Sequence, residues 1–387
     1  MPKDHATLSA SGSARWIACP PSAKLEEQFP QETSTYAEEG TVAHALAEIE
    51  AKVILDQLSP SDYLAQKREL QKSPYYNLEM QSCAENYAAF VMATLEKHKE
   101  TCPDAFAELE VKLSFTKWVP QGFGTGDCII VSDDTLEVID LKYGKGVKVE
   151  AENNSQMMLY ALGAIAEYES LYDIEKVKMT IYQPRLAGTH STWEIPVKDL
   201  LTWAKKVVKP AAKLAWAGEG EFAPSLETCR FCRAKAQCRA RADYNLKAFD
   251  EAQDPLLISP DEAGEILKKT DDIEAWLKDL KELVTSTLLG GDPVKDWKLV
   301  EGRSVRKITD ELKAADALRD AGYPDEIFYE RKFLSLTALE KNLGAKTVKE
   351  TLGDLVVKPK GSPTLAPATD KRPEWVPEEA ILEAFDE

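Results

Sequence analysis

Apolar positions recur at helical spacing over residues 38–58, where Ala43, Leu46, Ala47, Ile49, Val53 and Ile54 share a face, and again over residues 77–99. The period then shortens to two. Residues 106–115 alternate, 126–131 are apolar apart from Asp127, and 136–141 are apolar apart from Glu137 and Asp140, which predicts three strands in quick succession. The Ser132-Asp133-Asp134 cluster between the last two reads as a hairpin turn. Helical spacing returns at 153–172, strands at 177–182 and 191–195, and a further helix at 199–216. Together these elements predict a mixed α/β core of about 240 residues.

Beyond the core, Ser259-Pro260-Asp261-Glu262 carries a helix-start signature, a capping serine followed by proline at the first helical position. A helix to about Leu289 should follow, closed by Gly290-Gly291, then a basic strand pair over 297–308 and short helices to about Leu355. From Lys358 the chain is Pro-rich and then acidic, a composition expected to be disordered in isolation. The expected division is therefore a core at 1–245, a mainly helical region at 256–357 and a tail at 358–387.

Composition narrows the classes. The 387 residues carry 48 Lys+Arg against 66 Asp+Glu, a formal charge of −18, which argues against coating nucleic acid by bulk charge and leaves room for a local basic groove. With 44% hydrophobic residues the chain is too apolar to be wholly disordered. No stretch approaches the ~18 continuous apolar residues of a membrane span, and the start lacks a secretory apolar core, so a cytoplasmic location without membrane contact is expected. Seven cysteines in a reducing compartment point to metal or catalysis where they cluster.

The hairpin register can be worked out. With Asp133-Asp134 as a two-residue turn, Ser132 pairs with Thr135 and Asp127 falls opposite Asp140, with Cβ atoms ~4.5–5.5 Å apart. Lys142 shares the face of Asp140. Two buried facing aspartates need something positive between them, and carboxylates with an imidazole suit Mg²⁺ or Mn²⁺. His44 is the candidate imidazole, and Glu48 follows it by one helical turn. The pattern alone equally allows two aspartates at exposed strand ends and an ordinary half-buried histidine.

In order along the chain, Gly40-Thr41-x-x-His44, Gly126-Asp127, Ile139-Asp140-Leu141-Lys142 and Gln156-x-x-x-Tyr160 resemble the motifs of PD-(D/E)XK nucleases of the RecB/AddB type. Asp140-Leu141-Lys142 stands as the D/E-x-K motif. The resemblance covers residues 8–245 and implies a restriction-endonuclease-like core, a central mixed sheet flanked by helices, that cleaves DNA phosphodiesters. It implies one or two Mg²⁺ or Mn²⁺ ions held by His44, Asp127, Asp140 and the carbonyl of Leu141. Lys142 would orient or deprotonate the attacking water, helped by a pKa lowered by burial and metal, and Gln156 and Tyr160 would position the substrate strand or the lysine. The leading expectation is an exonuclease that resects DNA ends; a single-strand or structure-specific endonuclease and a catalytically idle DNA-binding scaffold are the alternatives.

Cys229-x-x-Cys232-x5-Cys238 forms a trio able to converge on one metal, and Cys19 is the natural fourth ligand. One cysteine before the nuclease motifs and three after them resembles the iron–sulfur staple of AddB-type nucleases, which implies a structural [4Fe-4S] cluster; structural Zn²⁺ is the other occupant considered. Cys83, Cys102 and Cys128 show no metal spacing. Arg230, Arg233, Lys235, Arg239 and Arg241 occur without an intervening acidic residue and could meet DNA phosphates, as could Lys145, Lys148, Arg303, Arg306 and Lys307. The end of the chain, with its Asp370-Lys371-Arg372-Pro373-Glu374-Trp375 segment, is similar to a phage and prophage family. That likeness implies a neighbouring single-strand annealing protein as a partner, with residues 378–387 as a docking segment.

Overall fold

The computed structural model describes residues 6–30, 34–186, 190–250, 260–300, 311–322, 324–325, 329 and 334–356. By its contacts the chain divides into residues 1–292 and 293–387. The first unit is built on a five-stranded sheet in the order β1 (Phe106–Ser114), β2 (Phe123–Val131), β3 (Thr135–Leu141), β4 (Lys176–Tyr182) and β5 (His190–Pro196). All neighbours are antiparallel except β3 and β4. That parallel pair needs a crossover, and among the helices its connection carries α6 (Ser155–Tyr168).

The N-terminal part supplies α1 (Ser13–Ala18), α2 (Ser22–Glu26), α3 (Thr35–Ile54), α4 (Pro60–Leu70) and α5 (Leu78–Lys99). Side chains local to each start decide where the helices begin. Ser34 accepts from the N–H of Ala37, Asn77 from that of Met80, and Asn154 from those of Gln156 and Met157, satisfying amides that have no partner within the helix. The core lies in two layers. Leu113, Ile129, Val131, Leu136 and Val138 pack on one side against α6 and the later helical run. Cys128, Ile130, Ile139 and Leu141 pack on the other against α3 and α5.

The α/β class holds, and so do most elements. Of the apolar face expected on α3, Ile54 is exposed, because the helix ends there. The run expected as one helix over 199–216 is α7 (Val197–Trp203), a π turn (Ala204–Val208) and α8 (Lys209–Ala217). Pro210 has no N–H to continue the α-helical ladder, and the wider turn before it absorbs the gap. The cysteine segment adds α9 (Leu226–Arg230) and α10 (Arg239–Asp250). The long helix expected to end at Leu289 is broken at Lys269 into α11 (Pro260–Lys268) and α12 (Thr270–Leu289); its capping Ser259 lies outside the described residues.

The second unit contains α13 (Glu311–Asp320), α14 (Leu336–Leu343), α15 (Ala345–Leu352) and a closing 3-10 turn (Gly353–Leu355). Most of the expected strand pair, with Arg303, Arg306 and Lys307, falls outside the described residues, as does the expected tail at 358–387 with its docking segment. No helix among the described residues is long and apolar enough to cross a membrane.

Candidate metal centre

The hairpin forms in the expected register: Val131 pairs with Leu136 and Cys128 with Ile139, while Ser132 and Thr135 exchange backbone hydrogen bonds across Asp133-Asp134. One step further the ladder changes hands. The N–H of Leu141 donates to the side chain of Asp127, at 2.7 Å to Oδ2, instead of to a backbone carbonyl of β2. That bond aims the other oxygen outward, where Asp127 Oδ1 stands 3.2 Å from His44 Nδ1 on α3.

Asp140 is buried at the end of β3, within hydrogen-bond reach of Gln156 of α6. Its Oδ2 lies 2.7 Å from Lys142 Nζ, an ion-pair contact whose angles fall short of a hydrogen bond. Gln156, in the first turn of α6, ties the group together. Its Oε1 accepts from Lys142 Nζ at 3.2 Å, and its Nε2 donates to Asp140 Oδ1 at 3.4 Å and to the Tyr160 hydroxyl at 3.2 Å. Tyr160 lies directly over Gly124 of β2, where a Cβ would come within 2.8 Å of the ring. Lys142 is held on its own side by a 2.8 Å bond from its N–H to the Tyr182 carbonyl.

A residue the sequence pattern does not single out joins the site. Glu110 of β1 has φ +54°, in the left-handed region that few non-glycine residues occupy. The strand inverts there: Ala107 and Leu109 pack on the α3/α5 side, whereas Val111 and Leu113 pack on the α6 side. The β1–β2 register is the same before and after this point, with the Glu110–Asp127 pair missing from the ladder. As a result one ligand atom each from His44, Glu110 and Asp127 lie within 4.8 Å of one another.

Burial and charge set the protonation states. Burial alone would strip the His44 imidazole of its proton, but Asp127 beside it and Asp140 beyond it raise its pKa to about 9. Burial also works against ionised Asp127, yet His44, the Leu141 N–H and Lys142 together hold it below the usual carboxylate range. Asp140 goes the other way, because burial and the neighbouring Asp127 outweigh Lys142. Burial pushes Lys142 down, but Asp140 and then Asp127 lift it above its ordinary value. Glu110 is raised to about 7 by burial first and by Asp127 and Glu48 next. Glu48 itself is engaged by Lys52 at 2.5 Å.

The four cysteines line one recess. Cys19, at the end of α1, lines a recess of about 330 Å³ with Cys229, Cys232 and Cys238, and all are free thiols. Burial raises Cys229 and lifts Cys232 to about 12. Cys83, Cys102 and Cys128 lie elsewhere, and Cys128 is a fully buried core residue.

The basic residues divide. Lys235 and Arg241 are turned inward onto Asp279 of α12, at 2.8 and 2.5 Å, and Arg233 donates from Nη1 to the Phe29 carbonyl at 3.0 Å. Arg230 and Lys145 are exposed. Phe231, between the first two cysteines of the trio, is also exposed.

Fold and site thus define a mixed α/β protein with a buried carboxylate, lysine and histidine group suited to binding a cation at the end of its central hairpin. The chain belongs to the family described as a protein of unknown function, DUF2800, whose profile matches residues 5–373. Among solved structures it is similar to a candidate exonuclease of Eubacterium rectale, 12% identical over 65% of this chain and 90% of that one, with a TM-score of 0.33. It is also similar to the alkaline exonuclease LHK-Exo of Laribacter hongkongensis in complex with dAMP, 15% identical over 46% of this chain and 93% of that one, with a TM-score of 0.22.

Proposed function

We propose that this protein is a divalent-metal-dependent deoxyribonuclease of the PD-(D/E)XK type, an exonuclease acting from DNA ends, with its nuclease core in residues 1–245. The observation that carries the reading is the joint placement of Asp127, Asp140 and Lys142 on adjoining strand ends, with Gln156 bonded to both Asp140 and Lys142. A fold gains nothing in stability by gathering two buried carboxylates, so a cation is the natural complement. The donor set fits Mg²⁺ or Mn²⁺: His44, Asp127, Asp140 and the Leu141 carbonyl would hold the metal, which when bound supplies an activated water and neutralises charge on the scissile phosphate.

The chain's own groups divide the remaining work. Lys142, fully protonated beside Asp140, orients the attacking water and offers its charge to the phosphate oxygens. Gln156 fixes the Lys142 ammonium and the Asp140 carboxyl relative to each other, and Tyr160 anchors Gln156 in turn. Exposed Arg230 and Lys145 would contact the DNA backbone, whereas Lys235 and Arg233 would act by holding the cysteine segment in place. Four cysteines around one recess fit a [4Fe-4S] cluster as a structural staple, with Zn²⁺ the other candidate.

The test is digestion of end-labelled linear DNA and closed circular DNA by anaerobically purified protein, with Mn²⁺ or with EDTA, beside the Asp140→Ala variant. Loss of linear DNA alone, dependent on both metal and Asp140, is the expected result. Cutting of circles would convert the reading to an endonuclease. Absence of metal-dependent cutting would leave a DNA-binding scaffold.

A further inference from the structure

The loop between Lys142 and Gln156 starts and ends at groups of the candidate site, and its tip, Gly144-Lys145-Gly146-Val147-Lys148, is exposed at every residue. Gln183, which directly follows β4 and is 5% exposed, binds this tip from the protein side. Its Nε2 donates to the carbonyls of Gly144 at 2.7 Å and Val147 at 2.8 Å, and its Oε1 accepts from the N–H of Val149 at 3.1 Å. In a trans peptide the C=O and the N–H point in opposite directions, and no peptide bond among the described residues is cis. Drawing those two carbonyls inward therefore turns the N–H groups of Lys145 and Lys148 outward. Among the described residues, no protein acceptor takes a hydrogen bond from a backbone N–H of residues 144–148. Lys148 is engaged only by Glu150, in an exposed pair. The fold does not demand glycine at 144 or 146: neither residue lies in the left-handed region, and a Cβ on either would meet nothing within 4 Å. Glycine where the protein itself leaves room for a side chain suits the close approach of a ligand to the main chain.

Resting on the nuclease reading, we propose that residues 144–148 form a seat for a backbone phosphate of the DNA strand beside the scissile one, and that Gln183 is the positioning residue that shapes it. The outward N–H groups of Lys145 and Lys148 donate to the phosphate oxygens, and the two glycines admit the strand close to the main chain. The lysine ammonium groups add charge from flexible stems, so the direction of the contact comes from the main chain that Gln183 fixes. Lys148 exchanges Glu150 for phosphate at little cost, since an exposed ion pair is weak. DNA is the occupant because the loop is continuous with both Lys142 and Gln156, so a strand lying on it also passes the site where those groups act.

The test is binding of a fluorescein-labelled duplex oligonucleotide by the full chain in EDTA, read by anisotropy over a range of salt. Lys145→Ala should reduce the slope of log affinity against log salt by about one, the share of one phosphate contact. Gln183→Met leaves the charge unchanged, yet it should reduce that slope by about one as well and weaken binding by about 10-fold. A merely structural role for Gln183 would lower the melting temperature and leave the salt slope where it was. Gly146→Ala, whose Cβ meets open space, should melt no lower than the wild type and bind about 10-fold more weakly, which keeps the seat testable if Gln183→Met fails to fold. In Mn²⁺ the loss in Gln183→Met should fall on KM with kcat within about threefold, because Lys142 is held by the Tyr182 carbonyl and Gln156 by the start of α6. A folded Gln183→Met protein with wild-type affinity and slope, a Gly146→Ala protein that binds as tightly as the wild type, or a loss confined to kcat overturns the proposal. Binding with the expected dependences by a protein that cuts no DNA would sustain the seat and remove the nuclease reading, whereas metal-dependent cutting with wild-type KM in all three variants would do the reverse.

Discussion

Lys142 is placed under opposing demands: burial disfavours its charge, and Asp140, 2.7 Å away, restores it. In the proposed reaction a lysine so held would direct water and phosphate as a charged group rather than act as a neutral base. Lys142→Ala should therefore lower the cleavage rate by about 10²–10⁴ while DNA binding and the melting temperature change little, a split read by single-turnover kinetics beside a binding assay. Equal losses in rate and in binding would move Lys142 from chemistry to substrate capture. At this scale the sequence was legible wherever residue type and spacing sufficed: Asp127, Asp140, Lys142, Gln156 and Tyr160 all converge. Glu110 was not, because within Ala107-Glu108-Leu109-Glu110-Val111 it reads as an outward position of an alternating strand. Its inversion rests on a left-handed φ that nothing in the residue type announces.

Elements are joined by buried polar contacts as well as by apolar packing. Glu137, wholly buried in β3, accepts from Lys178 of β4 at 2.9 Å and Thr180 of β4 at 2.8 Å, and contacts His98 of α5 at 2.9 Å. Burial resists its ionisation, yet His98, Lys178 and Thr180 together lower its pKa below the ordinary 4.5. A carboxylate with a depressed folded-state pKa binds protons more readily when unfolded, so its contribution is complete above about 4.5 and is lost as pH falls through the lower folded value. Glu137→Gln should cost about 3 kcal/mol at neutral pH, and its melting curve should converge on that of the wild type in acid; a constant gap down to pH ~3 would assign the cost to packing. The α6 layer is pinned differently. A Cβ on Gly163 would lie 2.9 Å from the Leu113 side chain and 3.4 Å from its backbone, so Gly163→Ala must lift α6 from β1, at about 1–3 kcal/mol in thermal unfolding. Strongly periodic elements were readable from sequence to within a few residues. Helix α4 was not, for none of its residues is buried and only Ser59-Pro60 marks its start. The π turn was not either, since periodicity does not register the missing donor of Pro210.

Across the first unit, the two ends of the α/β core share one recess. Cys19 lines a single recess with Cys229, Cys232 and Cys238. Buried Glu26 accepts from Arg15 Nε and from the Arg233 N–H, both at 2.8 Å, so α1, α2 and the cysteine segment are already tied by protein contacts. Arg241 and Lys235 extend the tie to α12 through Asp279. A metal-bound link from residue 19 to residue 229 would close a loop of about 210 residues, worth about 5 kcal/mol by the chain-entropy argument for cross-links. The thiols resist this on their own: burial first, then Glu26, raises Cys232 to about 12, so it is protonated at neutral pH until a metal displaces the proton. Metal loading should accordingly release protons and weaken as pH falls. Cys232→Ala should lose the brown colour expected of an iron–sulfur cluster and several degrees of melting temperature, whereas Asp140→Ala should keep both and lose only cleavage. Colourless wild-type protein containing one zinc per chain would identify the staple as Zn²⁺. A Cys232→Ala variant as stable and as metal-loaded as the wild type would show that the hydrogen bonds of Glu26 and the ion pairs of Asp279 hold the core closed by themselves.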